Sequence, residues 1–353
     1  MFIATLISRA TGFLREIVMA AFFGTSAAND AWLMASVLPN LLFSTVNGAI
    51  SVTMVPLLTQ ADAQYSRRST TNFLNEVFTS VILISLVLIV LGELFAHPIM
   101  QLIAPGFHGK TLALTVRMTR IMIPTIIFWG LSGLMIGILQ EQEQFVYPAL
   151  SPVAINITRV VTIIVLGHFW GIQGVAIGFL LAVLSQFIFI VPPLHRLGFH
   201  LHFRWHISHP LLKKMAKMAG PFFLTSSVGT AGVLVDRILA SSLKVGSLAA
   251  LNYSYTLVQL PVGLIVSSLT TPIYTRLSVQ NSEQNIQSFK TLALSGWQAV
   301  LLVIAPLTIW MMALNIPILR LLYQHGAFTN HSTIMTGHTL FFFALGLPGF
   351  ALS

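Results

Sequence analysis

Long apolar runs dominate the chain and limit what it can fold into. The runs Val77–Leu91, Ile121–Leu139 and Leu292–Leu314 suit helices of ~20 residues, the length that crosses the hydrocarbon core of a bilayer. Hydrophobic residues make up 56% of the chain and charged residues 8%, whereas soluble domains carry about 25% charged residues. The sequence therefore predicts an all-α, polytopic membrane protein.

The distribution of basic residues predicts how the chain crosses the membrane. Ten spans are predicted, at residues 2–23, 31–58, 73–103, 112–139, 147–167, 172–193, 217–243, 247–275, 290–322 and 331–353. Lysine and arginine are concentrated in the loops after the second, sixth and eighth spans, as at Arg68, Lys213 and Arg276. The positive-inside rule places these loops in the cytoplasm, with the N-terminus inside. The net charge of +9 is thus a topology signal, and nucleic acid is excluded as a partner.

Four charged residues lie within the apolar stretch that opens the chain. Arg9, Arg15 and Glu16 belong to the first predicted span, and Asp30 stands where the second begins. A charge deep in hydrocarbon costs about 2.5–3.5 kcal/mol on the insertion scale. These side chains are therefore expected to face protein or a water-filled cavity, which makes them candidates for a functional site.

The second span carries two local signals. Asn29 and Asp30 offer side-chain oxygens that can cap the start of a helix. Pro39 removes a backbone hydrogen bond and predicts a kink or break in that span.

Landmarks of the first half return in the second half. The pair Asp236-Arg237 lies 221 residues after Arg15-Glu16, and Pro317-Ile318 lies 219 residues after Pro98-Ile99. These spacings predict two pseudo-symmetric helical lobes: an N-terminal lobe at 1–195, a cytoplasmic basic linker at 196–216 and a C-terminal lobe at 217–353. A full second repeat would run past residue 353, so the second lobe is expected to be incomplete and the chain to be an N-terminal piece of a longer protein.

Seven stretches carry a resemblance to a known family. They are SRATGFLREIVMAAFFG (8–24), AANDAWLMASVLPNLL (27–42), APGF (104–107), AGPFFL (219–224), VDRILASSL (235–243), SLAALNY (247–253) and YQHGAFT (323–329). In these stretches and in their order, the chain resembles the MurJ/MviN family, the lipid II flippases of the MOP exporter superfamily. The resemblance covers about the first ten of that family's fourteen helices.

The resemblance implies a fold, a function and a set of substrate-binding residues. It implies the MOP exporter fold and translocation of a polyprenyl-pyrophosphate-linked peptidoglycan precursor across the bacterial cytoplasmic membrane by alternating access. Arg15 is implied as the cavity arginine and Asp30 as its acidic partner at the start of the second helix, where Asp30 is either a helix cap, part of a gate, or both. Arg9 belongs to the family's S-R-x-x-G-F signature and is implied as a further substrate-binding residue. The implied partners are the lipid-linked precursor, membrane lipids and cell-wall synthesis proteins. No cofactor is expected apart from a coupling cation such as Na⁺, or the membrane potential.

Two departures from the family pattern thin the expected arginine cluster. Phe43 and Ser44 stand where many members carry an arginine, and Tyr255 and Thr256 stand where many carry a second. Arg159, on the same predicted helix as Asn156, is a candidate replacement cation, and both are predicted to bind substrate.

The sequence leaves alternative roles open for Glu16, Asp236 and Arg237. Glu16 lies about 100° around the helix from Arg15, so it is interpreted as the partner of a neighbouring helix and as a coupling or gating residue. Asp236 is either a ligand for a coupling cation or an ion-pair partner, and Arg237 is either a pair partner or a cavity cation. The histidines between 195 and 209 favour an interfacial loop over a zinc site.

Three other functions compete with the flippase. One is a MOP exporter of another lipid-linked oligosaccharide or of an amphipathic drug, and another is a transport-inactive cell-wall scaffold. An integral-membrane enzyme for polyprenyl lipids is disfavoured, because such enzymes need clustered carboxylates for Mg²⁺ and the chain has only nine acidic residues with no Asp-Asp pair.

Overall fold

Helices make up all the regular structure of the described residues. The computed structural model describes residues 2–204, 209–263 and 286–352. Its helices are α1 (Phe2–Phe23), α2 (Ala27–Ala35), α3 (Val37–Gln64), α4 (Arg67–Ile103), α5 (Gly109–Met122), α6 (Thr125–Glu141), α7 (Val146–Arg196), α8 (Pro210–Ser241), α9 (Ser247–Pro261), α10 (Ile286–Ala313), α11 (Asn315–Leu322), α12 (Asn330–Leu345) and α13 (Leu347–Leu352). The all-α prediction is confirmed.

Five stretches of the described helices are long and apolar enough to cross a membrane, judged by length and composition. They are Ala27–Gln64, Arg68–Ile103, Gly109–Glu141, Val146–Arg196 and Lys290–Ala313. The 51-residue α7 contains one non-helical residue, Gly171, with φ 58° and ψ −144°. This residue separates the two predicted spans 147–167 and 172–193, because glycine adopts a positive φ without the steric cost that a Cβ brings.

The predicted break near Pro39 is confirmed. Helix α2 ends at Ala35 and α3 begins at Val37, so the break precedes the proline. Proline has no N–H to offer the carbonyl four residues earlier, which here is that of Ala35. The hydroxyl of Thr119 on α5 lies 3.4 Å from this carbonyl and 2.9 Å from that of Thr115 on its own helix, so the neighbouring helix offers the Ala35 carbonyl at most a shared donor.

The chain divides into two compact units. The first comprises residues 1–19 and 27–245 and the second comprises residues 20–26 and 246–353, in so far as each is described. The core of the first unit lies among α3, α4, α6, the end of α7 and the start of α8, with Met54, Phe73, Leu134, Ile190 and Leu211 among its buried members. The lobe boundaries predicted from the repeat stay a prediction.

The polar start of α4 holds the segment that joins α7 to α8. Asn75 Oδ1 accepts a hydrogen bond from the backbone N–H of His202 at 2.8 Å, and Glu76 Oε2 accepts one from that of His209 at 2.7 Å. Glu76 is only 2% exposed. A buried carboxylate is tolerated where such charge-assisted bonds satisfy it, so the described part of the linker is fixed in place rather than loosely attached.

The second unit is organised around an aromatic cluster. The ring centres of Tyr253, Tyr323 and Phe328 lie 5.1–5.7 Å from one another. Tyr253 Oη donates to the backbone carbonyl of Gly24 at 3.3 Å, which ties the turn after α1 to this cluster. Aromatic pairs at such distances add about 0.5–1.5 kcal/mol beyond the area they bury.

Candidate functional site

A network of polar side chains joins α1 to α7 within the first unit. Arg15 donates to Glu16 Oε1 from Nη2 at 2.6 Å and from Nε at 3.1 Å. Its Nη1 donates to Asn156 Oδ1 at 2.9 Å. The amide nitrogen of Asn156 in turn donates to the backbone carbonyl of Ser8 at 3.2 Å. Asn156 therefore fixes the Arg15 guanidinium and also anchors α7 to the backbone of α1.

The burial of these groups explains why they are paired. The Glu16 side chain is 8% exposed and the Arg15 side chain is 22% exposed, while Asn156 is 7% exposed. An ionised group at this depth is costly unless a partner and hydrogen bonds compensate it. Arg15 is the most exposed of the three, so it is the member that a ligand can reach.

The structure corrects the predicted direction of Glu16. The residues are adjacent on α1, and their Cα–Cβ bonds diverge by about 100°, which led us to assign Glu16 to a neighbouring helix. The premise that the two side chains cannot meet is wrong, because Glu16 accepts both the Nε and the Nη2 hydrogen bonds of Arg15. A partner for Glu16 on a neighbouring helix stays a prediction. Both side chains are long enough to converge above the helix despite their different starting directions. The predicted coupling or gating role of Glu16 stays a prediction.

Arg159 brings a second buried cation to the same region. It lies three residues after Asn156 on α7 and is 8% exposed. Its guanidinium carbon lies 5.2 Å from the ring centre of Trp32 and 5.1 Å from that of Phe179, which are cation–π distances. Its Nε has no hydrogen-bond partner among the described residues. The structure thus holds this cation by aromatic faces and leaves a donor unsatisfied.

The charges of the network act on one another. Arg15 repels Arg159, and Glu16 attracts it. Two guanidinium groups and one carboxylate leave this region with a formal excess of one positive charge. An electropositive region inside a membrane-spanning unit favours an anionic ligand.

Gly12 permits the close approach of the two helices. A Cβ added there would lie 3.3 Å from Asn156 Nδ2, which is tighter than most real contacts. Sequence reasoning missed Gly12, Trp32 and Phe179. A glycine one turn before Arg15 was a visible signal, but nothing in the sequence indicated that Trp32 and Phe179 would flank Arg159.

Asp30 lies in a different environment from Arg15. No hydrogen bond or ion pair joins the two in the described structure, and Asp30, 4% exposed, lines a cavity of about 90 Å³ together with His108, Ser241 and Lys244. Its predicted capping role is wrong, because α2 begins at Ala27 and Asp30 therefore lies inside the first turn. A carboxylate there still favours the helix, since the N-terminal end carries partial positive charge.

The remaining predicted residues are not brought into the network. Arg9 is half-buried on α1, and Asp236 is exposed while Arg237 is half-buried on α8. Within the described residues, no group of three His, Cys, Asp or Glu side chains could hold a metal ion. The substrate role of Arg9, the coupling role of Asp236 and the role of Arg237 stay predictions.

The histidines of the linker are partly outside the described residues, since His206 falls there. His195 and His200 approach each other, with 2.9 Å between their Nδ1 atoms. His209 lies between the rings of Tyr65 and Phe73, at 5.3 Å from each ring centre. His209 is thus a packing residue that positions the start of α8.

Comparison with known proteins gives one consistent result. A family model described as lipid II flippase MurJ matches residues 19–353. The probable lipid II flippase MurJ of Buchnera aphidicola subsp. Acyrthosiphon pisum is 30% identical, over 98% of this chain and 69% of that protein. The lipid II flippase MurJ of Burkholderia cenocepacia is 28% identical, over 99% of this chain and 69% of that protein.

Solved structures agree with this result. A lipid II flippase MurJ in an inward closed conformation superposes with a TM-score of 0.87 at 29% identity, covering 99% of this chain and 73% of that one. An inward-facing multidrug resistance MATE transporter of the MOP superfamily superposes with a TM-score of 0.69 at 14% identity, covering 98% of this chain and 83% of that one. The second match concerns the fold alone, which is the predicted MOP exporter fold.

Proposed function

Because this chain belongs to the lipid II flippase MurJ family, we propose that it moves lipid II from the inner to the outer leaflet of the bacterial cytoplasmic membrane. The protein is a multi-pass membrane protein with the MOP exporter fold. Its ligand is then a lipid whose polar head carries a pyrophosphate, and whose polyprenyl tail remains in the bilayer. The concentration of lysine and arginine in alternate loops supports an N-terminus in the cytoplasm.

The network on α1 and α7 supplies the groups that such a head group requires. A guanidinium has five N–H donors, and the contacts of Arg15 with Glu16 and Asn156 use three of them. Two donors remain for phosphate oxygens. Arginine suits a pyrophosphate because its planar fork donates parallel hydrogen bonds and stays charged. Arg15 is therefore the residue that we assign to the first phosphate contact.

Arg159 is assigned to the same head group as a second cation. Its guanidinium lies between two aromatic faces and its Nε lacks a protein acceptor in the described structure. A buried donor left unsatisfied costs free energy that an incoming acceptor can recover. The pyrophosphate oxygens would supply that acceptor, and Arg159 would then compensate for the family arginine that is absent near Phe43 and Ser44.

Transport would require the head-group site to alternate between access from each side of the membrane. After release of the pyrophosphate, Arg15 keeps its contacts with Glu16 and Asn156, the arrangement seen here, and its two remaining donors lose their phosphate acceptors. The membrane potential can then draw the uncompensated positive charge toward the cytoplasmic side, with ~2.3 kcal/mol for each charge moved through 100 mV. From the family resemblance we further propose that transport is coupled to a cation bound at Asp236. We also propose that the protein recruits cell-wall synthesis proteins.

The observation that carries the head-group assignment is the pairing of a partly exposed Arg15 with a buried acid and amide on a membrane-spanning unit. The test is rescue of a bacterium depleted of its lipid II flippase, with lipid II in the outer leaflet measured directly. We expect the wild-type protein to restore growth and flux, and Arg15→Ala and Arg159→Met to lower the flux.

A matched control keeps this test specific. Arg120→Ala removes an arginine whose side chain is 50% exposed and lies 3.7 Å from Glu93, and it should leave flux unchanged. Membrane levels of each variant are compared by immunoblot. Rescue that survives Arg15→Ala would favour a scaffold that does not transport, and growth without restored lipid II flux would favour an exporter of another lipid.

A further inference from the structure

The first unit contains an apolar groove that the head-group site does not use. It has a volume of about 290 Å³ and lies among α3, α4 and α8. Its walls include Ile50, Val77, Ile84, Leu212, Ala216 and Gly220. Ser80 is the polar side chain among its lining residues, and its hydroxyl donates to the Glu76 carbonyl of its own helix at 2.7 Å. The groove therefore presents a hydrocarbon-like wall.

The depth of the groove matches one leaflet of a bilayer. Along α8 it extends from Leu212 to Gly220, and a helix rises 1.5 Å per residue, so it is about 12 Å deep. One leaflet contributes roughly 15 Å to the hydrocarbon core. The ring of Phe222 packs against Gly48 just beyond Gly220.

The groove opens on a face that lipid can reach. Ile84 lines it and is nevertheless 56% exposed, and Val87, one turn further along α4, is 58% exposed. Exposed apolar side chains on a membrane-spanning helix contact lipid tails. The space is also too small for a helix, which with its side chains is about 10–12 Å across. A single extended chain is the occupant that fits.

Two lysines stand at the rim of the groove on α8. Lys213 and Lys217 are exposed and make no hydrogen bond or ion pair with another described residue, whereas Lys214 between them donates to Gln60 Oε1 at 2.5 Å. Lys213, Lys217 and Gly220 share one face of α8, because residues three and four apart lie above one another. Lys213 is thus next to Leu212 at the outer end of the groove, and Lys217 follows one helical turn further along it.

From these features we propose that the groove binds one acyl chain of an anionic glycerophospholipid, with its phosphate held by Lys213 and Lys217. Lipid tails in a bilayer are as apolar as the groove itself, so burial of the chain alone selects no lipid. Selection comes from the two lysines, since a basic residue near an anionic surface adds about fivefold in affinity. The bound lipid would fill the space between α8 and the α3–α4 pair.

The test is native mass spectrometry of the full-length protein in detergent, after equilibration with phosphatidylglycerol or phosphatidylcholine. Gly220→Leu fills the groove, because a side chain added there meets no neighbour within 4 Å. Gly232→Leu is the matched control, since it lies on the same helix, outside the groove, and also meets no neighbour within 4 Å. We expect Gly220→Leu to lower retained phosphatidylglycerol about tenfold and Gly232→Leu to leave it unchanged.

A second pair of variants tests the charge requirement without altering the groove. Lys213→Gln with Lys217→Gln should abolish the preference for phosphatidylglycerol over phosphatidylcholine, while Lys110→Gln, an exposed lysine on α5, should preserve it. Equal retention by the Gly220→Leu and Gly232→Leu proteins would overturn the proposal. So would displacement of phosphatidylglycerol by equimolar polyprenyl phosphate, because the groove would then hold a polyprenyl chain. Neither readout depends on transport, so failure here leaves the flippase proposal standing.

Discussion

Removing Arg15 should destabilise the protein chiefly by taking two hydrogen bonds from the buried carboxylate of Glu16. The Glu16 side chain is 8% exposed, and in Arg15→Met it loses both guanidinium hydrogen bonds. Breaking a buried ion pair from one side costs about 3–5 kcal/mol. Arg15 is 22% exposed and Arg159 still attracts Glu16, so we expect a cost near the lower end, about 3 kcal/mol.

This cost converts into a measurable change in melting temperature. Unfolding entropy is ~2.1 cal/mol/K per residue, so a chain of 353 residues gains roughly 0.7 kcal/mol/K on unfolding. A loss of about 3 kcal/mol then lowers Tm by about 4 °C. The assay is thermal unfolding of the purified protein in detergent, followed by intrinsic tryptophan fluorescence.

A double-mutant cycle isolates the pair. Glu16→Gln alone should cost about 1–2 kcal/mol, because the cation left behind is partly exposed and keeps Asn156. The double variant should cost less than the sum of the two single variants by roughly 2 kcal/mol, since neither charge is then stranded. The exposed pair Arg120–Glu93 is the control and should show a coupling below about 1 kcal/mol.

Additive costs would refute the reasoning. If the double variant lost the sum of the single losses within about 0.5 kcal/mol, Arg15 and Glu16 would be energetically independent. The hydrogen bonds between them would then be incidental to stability.

Three further outcomes are expected. Asn156→Leu should lower lipid II flux more than stability, because it removes the acceptor that orients the substrate-binding guanidinium and leaves α7 intact; an unchanged flux in the rescue assay would contradict this. Glu76→Ala should speed amide hydrogen exchange at His209 by about tenfold, because that N–H loses a carboxylate acceptor; mass spectrometry of linker peptides measures the rate, and unaltered protection would argue against it. Gly106→Ala should lower the free energy of unfolding by about 1–3 kcal/mol, because its Cβ would overlap the backbone carbonyl of Ser241. A Tm equal to that of wild type would contradict this prediction, because the loop would then have moved aside without a cost in stability.

Single residues determined where the helices are interrupted. The break before Pro39 and the interruption at Gly171 follow from a missing N–H and from a positive φ, and both are properties of single residues. The membrane spans were predicted from the length of the apolar runs, because a chain segment inside a bilayer can satisfy its backbone N–H and C=O groups by forming a helix. The cost of burying a charge also identifies Arg15 as a candidate site residue from the sequence alone.

The partners of the charged side chains were decided only by tertiary structure. Arg15 and Asn156 are 141 residues apart, and no local period relates two helices at that separation. The mistaken premise that Arg15 and Glu16 cannot meet has a similar cause, since helix geometry gives the direction of a Cα–Cβ bond but not where a long side chain ends. Arg159 was predicted as a cation, yet its place between Trp32 and Phe179 depends on how three helices pack. The length of the apolar runs thus determines which residues enter the membrane, and packing determines which of them meet.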